Sequence, residues 1–110
     1  MNNETFYNIL TIDGGGIRGI IPAVTLEKME DFAYEYAISQ NYTIPLYQNS
    51  NGELRKKLPM MDLFDMMSGT STGSILSTAL SLIKAENRSE PLFWAGDALG
   101  IYEDAGPIIF

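Results

Sequence analysis

A serine at the centre of a glycine-bounded pentapeptide is the strongest chemical signal in the sequence. The pentapeptide consists of Gly69, Thr70, Ser71, Thr72 and Gly73. A nucleophilic serine requires a sharp turn between a strand and a helix, and flanking glycines let the backbone turn and pack closely. The turn lifts the hydroxyl above the sheet, near helix N–H groups that favour a developing negative charge. We therefore predict that Ser71 is a catalytic nucleophile; the alternative is a polar turn that only caps the helix.

A second glycine-rich stretch lies upstream, directly after a short apolar run. It consists of Asp13, Gly14, Gly15, Gly16, Ile17, Arg18 and Gly19. Consecutive glycines leave backbone N–H groups that can converge on an anion, and in an acyl-transfer enzyme this anion is the tetrahedral oxyanion. We predict that Gly14–Gly19 form a substrate-binding oxyanion loop. The sequence leaves open whether Arg18 orients this loop or faces the substrate.

The same glycines also fit a dinucleotide-binding βαβ unit. Gly14, Gly16 and Gly19 satisfy the G-x-G-x-x-G pattern directly after a predicted strand. That class requires an acidic residue at the end of a second strand, about 20 positions further on. Asp31 and Glu35 fall in this window, but they lie within a helical pattern. The hydrolase interpretation is therefore favoured over the dinucleotide-binding one.

Read together, the two glycine motifs resemble the patatin-like phospholipase family. The resemblance is carried by Asp13–Gly19 and Gly69–Gly73, extends to Phe64 and Asp65, and covers nearly the whole chain. One departure is Ser74, where the family usually has a further glycine. The paired motifs are specific enough to indicate this family.

The resemblance implies a lipid acyl hydrolase of the phospholipase A or acylglycerol esterase type. In this family a Ser–Asp dyad works through an acyl-enzyme, with the glycine loop as oxyanion hole. The family's aspartate lies in a downstream Asp-Gly-Gly or Asp-Gly-Ala motif, and no such motif follows Ser71. We therefore expect residues 1–110 to be the N-terminal portion of a single patatin-like hydrolase domain, without the part that carries the aspartate. Alone, this portion would be an inactive fragment or an interaction module.

The hydrophobic pattern predicts an α/β fold with a parallel or mixed sheet and flanking helices, and the resemblance implies the three-layer architecture of the family. Its expected elements are strands at 7–12 and 63–67, helices at 22–39, 72–85 and 91–102, and a hairpin within 40–59. Trp94 is expected to pack on the core.

Two faces are predicted for the first helix. Apolar residues at spacings of three and four are expected to face the core: Leu26, Met29, Phe32, Ala33 and Tyr36. Charged residues are expected to fill the solvent side: Glu27, Lys28, Glu30, Asp31 and Glu35.

The composition excludes several kinds of site. The 110 residues carry a net charge of −7, which argues against a nucleic-acid partner. The sequence contains neither cysteine nor histidine, so these residues cannot form a disulfide, and a metal site is not expected. A Ser-His-Asp triad is excluded for the same reason, and the general base must be a carboxylate or come from outside the chain. No cofactor is expected.

The expected location follows from two absences in the sequence. The N-terminus lacks the pattern of a signal peptide, and no apolar run approaches the ~20 residues of a membrane span. We predict a cytoplasmic protein, with peripheral contact at membranes as the alternative; the oligomeric state stays open. The basic cluster Arg55, Lys56 and Lys57 is either a solvated loop or a contact for lipid headgroups.

Overall fold

The computed structural model of the chain describes residues 6–15 and 20–100. In chain order, its elements are β1 (Ile9–Ile12), α1 (Ile20–Ser39), β2 (Tyr47–Gln48), β3 (Leu54–Arg55), α2 (Met60–Leu63), β4 (Met66–Gly69) and α3 (Thr72–Ser81). Residues 95–100 are also helical. The predicted α/β fold, with a small parallel sheet and flanking helices, is confirmed.

Strands β1 and β4 form the parallel pair that organises the chain. Ile9 lies opposite Met66, and Ile12 lies opposite Gly69. Since both strands run in the same direction, their carboxyl ends meet at one edge of the sheet. The glycine loop leaves β1 at this edge and the pentapeptide leaves β4 there, so the parallel pairing brings the two motifs together.

One face of this sheet is packed and the other is open in the described part of the chain. Leu10, Ile12 and Met67 point towards the core, where α3 contacts both strands. On the opposite face, Ile9 is 57% exposed and Met66 is 54% exposed. Of the three expected layers, the described residues therefore include the sheet and the helical layer on one of its faces.

The core joins this sheet to the helices around it. Its buried members are Ile12, Ala23, Leu26, Met60, Leu76, Leu80, Ala95 and Ala98. They come from β1, α1, α2, α3 and the helical segment 95–100, so the segments around the two motifs pack against each other through one apolar cluster.

The faces predicted for α1 are partly wrong. Leu26 is buried as expected, but Phe32 and Tyr36 are exposed. Glu30 was expected in solvent and is completely buried. Its carboxylate accepts hydrogen bonds from the N–H groups of Met60 and Ala95, each at 3.0 Å. This burial is possible because a carboxylate with hydrogen-bond donors on both oxygens can be taken out of water.

The end of α1 is fixed by a local motif at Asn41, which has a φ of 57°. The N–H of Tyr42 donates to the carbonyl of Ala37 at 2.9 Å, and the N–H of Asn41 donates to that of Ile38 at 3.1 Å. These are the two hydrogen bonds of a Schellman motif, in which asparagine tolerates the left-handed conformation.

The predicted hairpin is confirmed, whereas the second strand starts later than expected. Strands β2 and β3 pair antiparallel across a turn in which Gly52 has a φ of 80°. Leu63, predicted as strand, closes the short helix α2, and Phe64 lies between α2 and β4. The backbone of Pro59 is extended and precedes the first turn of α2, a position compatible with proline because its missing N–H is not needed there.

Helix α3 ends at Ser81, four residues before the predicted end at Ala85. Leu82 is extended, and its carbonyl accepts a hydrogen bond from the N–H of Leu92 at 2.9 Å. Pairing of Ile83 with Pro91 continues this contact. The antiparallel contact therefore ends the helix, although the sequence favours its continuation.

The basic cluster is only partly the solvated loop that was predicted, since Lys56 is exposed after β3 whereas Arg55 and Lys57 contact other side chains. Arg55 belongs to β3, and its guanidinium lies 4.8 Å from the centre of the Trp94 ring. Lys57 forms an ion pair of 2.9 Å with Asp31. Trp94 is buried, as predicted, and its ring also contacts that of Tyr47 edge-on. Two of the three cations therefore have contacts within the protein.

In the part of the chain that the structure describes, no helix combines the length and the apolar character needed to span a bilayer.

Candidate active site

Ser71 occupies a strained turn between β4 and α3. Its φ is 54° and its ψ is −125°, a conformation that non-glycine residues rarely adopt and that costs about 1–3 kcal/mol. The turn is closed by hydrogen bonds from the N–H of Gly73 to the carbonyl of Thr70 and from the N–H of Ser74 to that of Ser71. Ser71 is exposed, and its side chain makes no capping hydrogen bond to α3. This geometry differs from that of an ordinary serine helix cap, in which the hydroxyl accepts from the helix.

The glycines on either side of the turn are required by close packing. A Cβ atom on Gly73 would lie 2.1 Å from the carbonyl oxygen of Ile12. One on Gly69 would lie 2.4 Å from the carbonyl oxygen of Gly73. Any side chain at these positions would force the start of α3 away from the end of β1, so the spacing of the two glycines has a steric cause.

The start of the glycine loop lies directly against this turn. The N–H of Gly14 donates to Oγ1 of Thr70, and the N–H of Gly15 donates to Oγ1 of Thr72, both at 3.2 Å. The N–H of Thr70 in turn donates to the carbonyl of Ile12 at 3.1 Å. The structure therefore brings Gly14 and Gly15 next to Ser71, together with the two threonines. Gly16, Ile17, Arg18 and Gly19, which were also predicted as loop residues, lie outside the described residues.

The hydroxyls of the two threonines are a feature that the sequence analysis missed. Thr70 and Thr72 were predicted as members of the pentapeptide, without a role for their hydroxyls. Their side chains connect the two motifs across 56 and 57 positions of sequence. The signal in the sequence was a β-branched hydroxyl residue on each side of the serine, at the point where a neighbouring loop was expected.

Two aspartates that could be considered as a base have structural hydrogen bonds instead. Asp65 lies before the amino end of β4, at the opposite end of the strand from Ser71, and accepts from the N–H of Asn8 at 2.8 Å. Asp97 accepts from the N–H of Trp94 at 2.9 Å, in the first turn of the helical segment 95–100. Neither arrangement places a carboxylate on the hydroxyl of Ser71.

Asp31 and Glu35, the acidic residues considered for a dinucleotide-binding unit, both lie within α1. The strand that pairs with β1 is β4, which is followed by the Ser71 turn. The acidic strand end of a dinucleotide-binding unit is therefore not formed by these residues.

Comparison with known proteins gives one consistent result. The sequence profile described as patatin-like phospholipase matches residues 10–98. Patatin group M-1, Patatin-B1 and Patatin-15 of Solanum tuberosum are each 36% identical to the chain over 107 residues. These alignments cover 97% of this chain and 23% of each relative, so the chain spans about a quarter of the length of the proteins it matches. No solved structure matches it. With the strained serine turn and the glycine loop at one edge of a parallel sheet, these matches show that the chain belongs to the patatin-like phospholipase family.

Proposed function

We propose that residues 1–110 are the N-terminal portion of a hydrolase domain that cleaves acyl esters of lipids, and that Ser71 is its nucleophile. The observation that carries this proposal is the conformation of Ser71. A non-glycine residue is held at a φ of 54° with its side chain exposed, between a strand and a helix. Strain of this kind is retained where the position of a side chain matters for function.

The reaction proceeds through an acyl-enzyme. Oγ of Ser71 attacks the carbonyl carbon of the ester while a carboxylate accepts its proton. Backbone N–H groups of the glycine loop bind the oxygen that becomes negative in the tetrahedral intermediate. Collapse of this intermediate breaks the ester C–O bond, and the alcohol leaves with a proton. Water, whose proton passes to the carboxylate, then attacks the acyl group; the bond from the acyl carbon to Oγ breaks, the fatty acid leaves, and Oγ of Ser71 takes back the proton.

The base in this scheme is an aspartate outside these 110 residues. Family membership supports a Ser–Asp dyad, and the sequence has no histidine to serve instead. Asp65 and Asp97 are engaged with backbone N–H groups away from Ser71. The chain alone is therefore expected to lack hydrolytic activity, and the complete domain is expected to have it.

A hybrid protein tests this proposal. The part of Patatin-B1 that aligns with this chain is replaced by this chain, so that the remaining three quarters of the relative supply the downstream aspartate. We expect the hybrid to hydrolyse a short-chain ester and to react with a fluorophosphonate probe. Ser71→Ala should abolish both signals. The matched control is Ser68→Ala, because Ser68 is an exposed serine three positions away on β4.

Two outcomes would contradict the proposal. Probe labelling that survives Ser71→Ala would remove this residue from its role. A hybrid that unfolds cooperatively but neither turns over ester nor reacts with the probe would show that the serine turn is not catalytic.

A further inference from the structure

Thr70 and Thr72 hold the first two glycines of the loop from either side of Ser71. Oγ1 of Thr70 accepts from the N–H of Gly14, and Oγ1 of Thr72 accepts from the N–H of Gly15. Each bond joins residues that are more than 50 positions apart in the sequence. The N–H groups of two successive glycines are therefore bound by the two threonines that flank Ser71.

The packing around these bonds leaves the loop little room to move towards the serine turn. A Cβ atom on Gly14 would lie 2.3 Å from the carbonyl oxygen of Thr70 and 2.5 Å from Cβ of Ser71. Thr72 is only 3% exposed. The backbone of Gly14 is thus at contact distance from Ser71, and one hydrogen bond from Gly14 and one from Gly15 fix the loop along the turn.

The two hydrogen bonds to the threonines also limit which N–H groups of the loop can donate to a substrate. The N–H groups of Gly14 and Gly15 are directed at threonine hydroxyls, so an oxyanion could use them only after these bonds were broken. Catalytic donors act best when they need no reorganisation during the reaction. In this conformation the N–H groups of Gly14 and Gly15 therefore hold the loop against the serine turn.

We infer that Thr70 and Thr72 are positioning residues for the reaction of Ser71. Their hydroxyls fix the Gly14–Gly15 backbone against the serine turn, and this sets the distance between Ser71 and the start of the glycine loop. The inference rests on the proposed function, because it assigns a role in the same site. No proton or covalent bond is transferred through either threonine.

A purely structural role makes a different prediction from a positioning role. Threonines that only stabilise the fold would change the free energy of unfolding but not the turnover of the folded enzyme. Positioning residues change turnover itself. Because positional errors affect the transition state more than ground-state binding, kcat should fall while KM stays the same.

The experiment uses five variants, of which the valine variants are isosteric with threonine. Thr70→Val and Thr72→Val remove the hydroxyl and keep the shape, Thr70→Ser and Thr72→Ser retain the hydroxyl, and Thr78→Val is the control on the exposed side of α3. Amide hydrogen exchange of Gly14 and Gly15 is measured by NMR on this chain. The same substitutions are assayed for kcat and KM in the hybrid with Patatin-B1.

We expect each valine variant to speed the exchange of one glycine amide selectively. Loss of one hydrogen bond corresponds to about fivefold faster exchange of Gly14 in Thr70→Val and of Gly15 in Thr72→Val. In the hybrid, kcat should fall by about tenfold or more at unchanged KM. The serine variants should restore both readouts, and Thr78→Val should alter neither.

The inference is overturned if the valine variants leave both amides unchanged, or if exchange changes while kcat does not. The second result would assign the threonines to the fold alone. Failure of the proposed function looks different, because the unsubstituted hybrid would then fold without Ser71-dependent turnover. That result would refute both proposals, whereas an active hybrid with normal valine variants would refute only the role of the threonines.

Discussion

The buried carboxylate of Glu30 should make the stability of the protein depend on pH in an unusual direction. Glu30 accepts from the N–H of Met60, the first residue of α2, and from the N–H of Ala95, the first residue of the helical segment 95–100. One side chain thereby joins α1 to the amino ends of two further helical segments. Burial raises the pKa of Glu30 from 4.5 to about 7, although both hydrogen bonds and the charge of Lys57 act in the opposite direction.

The sign of the effect follows from the raised pKa. Between the unfolded pKa of 4.5 and the folded pKa of about 7, the folded protein binds more protons than the unfolded chain. The contribution of Glu30 to the free energy of unfolding is therefore fully present below pH 4.5 and is lost as the pH rises through 7. The difference between the two pKa values corresponds to about 3 kcal/mol in total. About 2 kcal/mol of this should be lost between pH 5.5 and pH 8.

The assay is urea denaturation between pH 5.5 and pH 8. The sequence contains no histidine, so no imidazole titrates in this window and the effect of Glu30 can be isolated. Glu30→Gln should abolish most of the pH dependence. It should also lower stability by about 1–3 kcal/mol at pH 5.5, because the amide group places a donor against one of the two N–H groups. At pH 8 the two proteins should have nearly equal stability.

Glu35→Gln is the matched control, since Glu35 is an exposed glutamate on the same helix. It should leave the pH dependence as it is. A stability that rises from pH 5.5 to pH 8 would refute the reasoning, and so would an equal pH dependence in Glu30→Gln. Either result would mean that the carboxylate is hydrated or that its hydrogen bonds outweigh the cost of burial.

Three further predictions concern stability. Ser71→Gly should be about 1 kcal/mol more stable than Ser71→Ala in urea, because glycine adopts a positive φ without steric cost, and equal stabilities would show an unstrained turn. Gly73→Ala should cost about 3 kcal/mol or more through the clash with Ile12, measured by thermal unfolding, and a cost below about 1 kcal/mol would contradict this close packing. Tyr47→Phe should cost about 1–2 kcal/mol through loss of the hydrogen bond to Asp62, and unchanged denaturation would show that this bond contributes little.

The proximity of the two glycine motifs was predictable from the sequence, because it requires only that each motif follows a strand and that the two strands are parallel. Each motif follows an apolar strand, and the carboxyl ends of parallel strands lie at one edge of a sheet. Gly69 and Gly73 could be recognised by their spacing from Ser71. The turn around Gly52 could be recognised as well, since Asn49-Ser50-Asn51-Gly52 is typical of a loop.

The features that were missed depend on contacts that the local sequence pattern does not contain. Glu30 looks like any other charged residue of α1 until Met60 and Ala95 donate to it, and local periodicity contains no information about that contact. The early end of α3 has a similar cause, because the strand-like contact of Leu82 with Leu92 replaces helical hydrogen bonds. In both cases tertiary contacts override a local preference.

The hydrogen bond between Gly14 and Thr70 closes a chain segment of 56 residues. By simple polymer statistics, closing a flexible loop of this length costs about 3.5 kcal/mol of entropy. A short peptide that contains Ser71 and its glycines cannot form this contact at all, since it lacks β1 and the glycines that follow it. The arrangement of Ser71 against the glycine loop therefore cannot form as a local motif. During synthesis it can form only after α1 and the β2–β3 hairpin have emerged and β4 has paired with β1, so the serine is kept out of its strained conformation until most of this segment has folded.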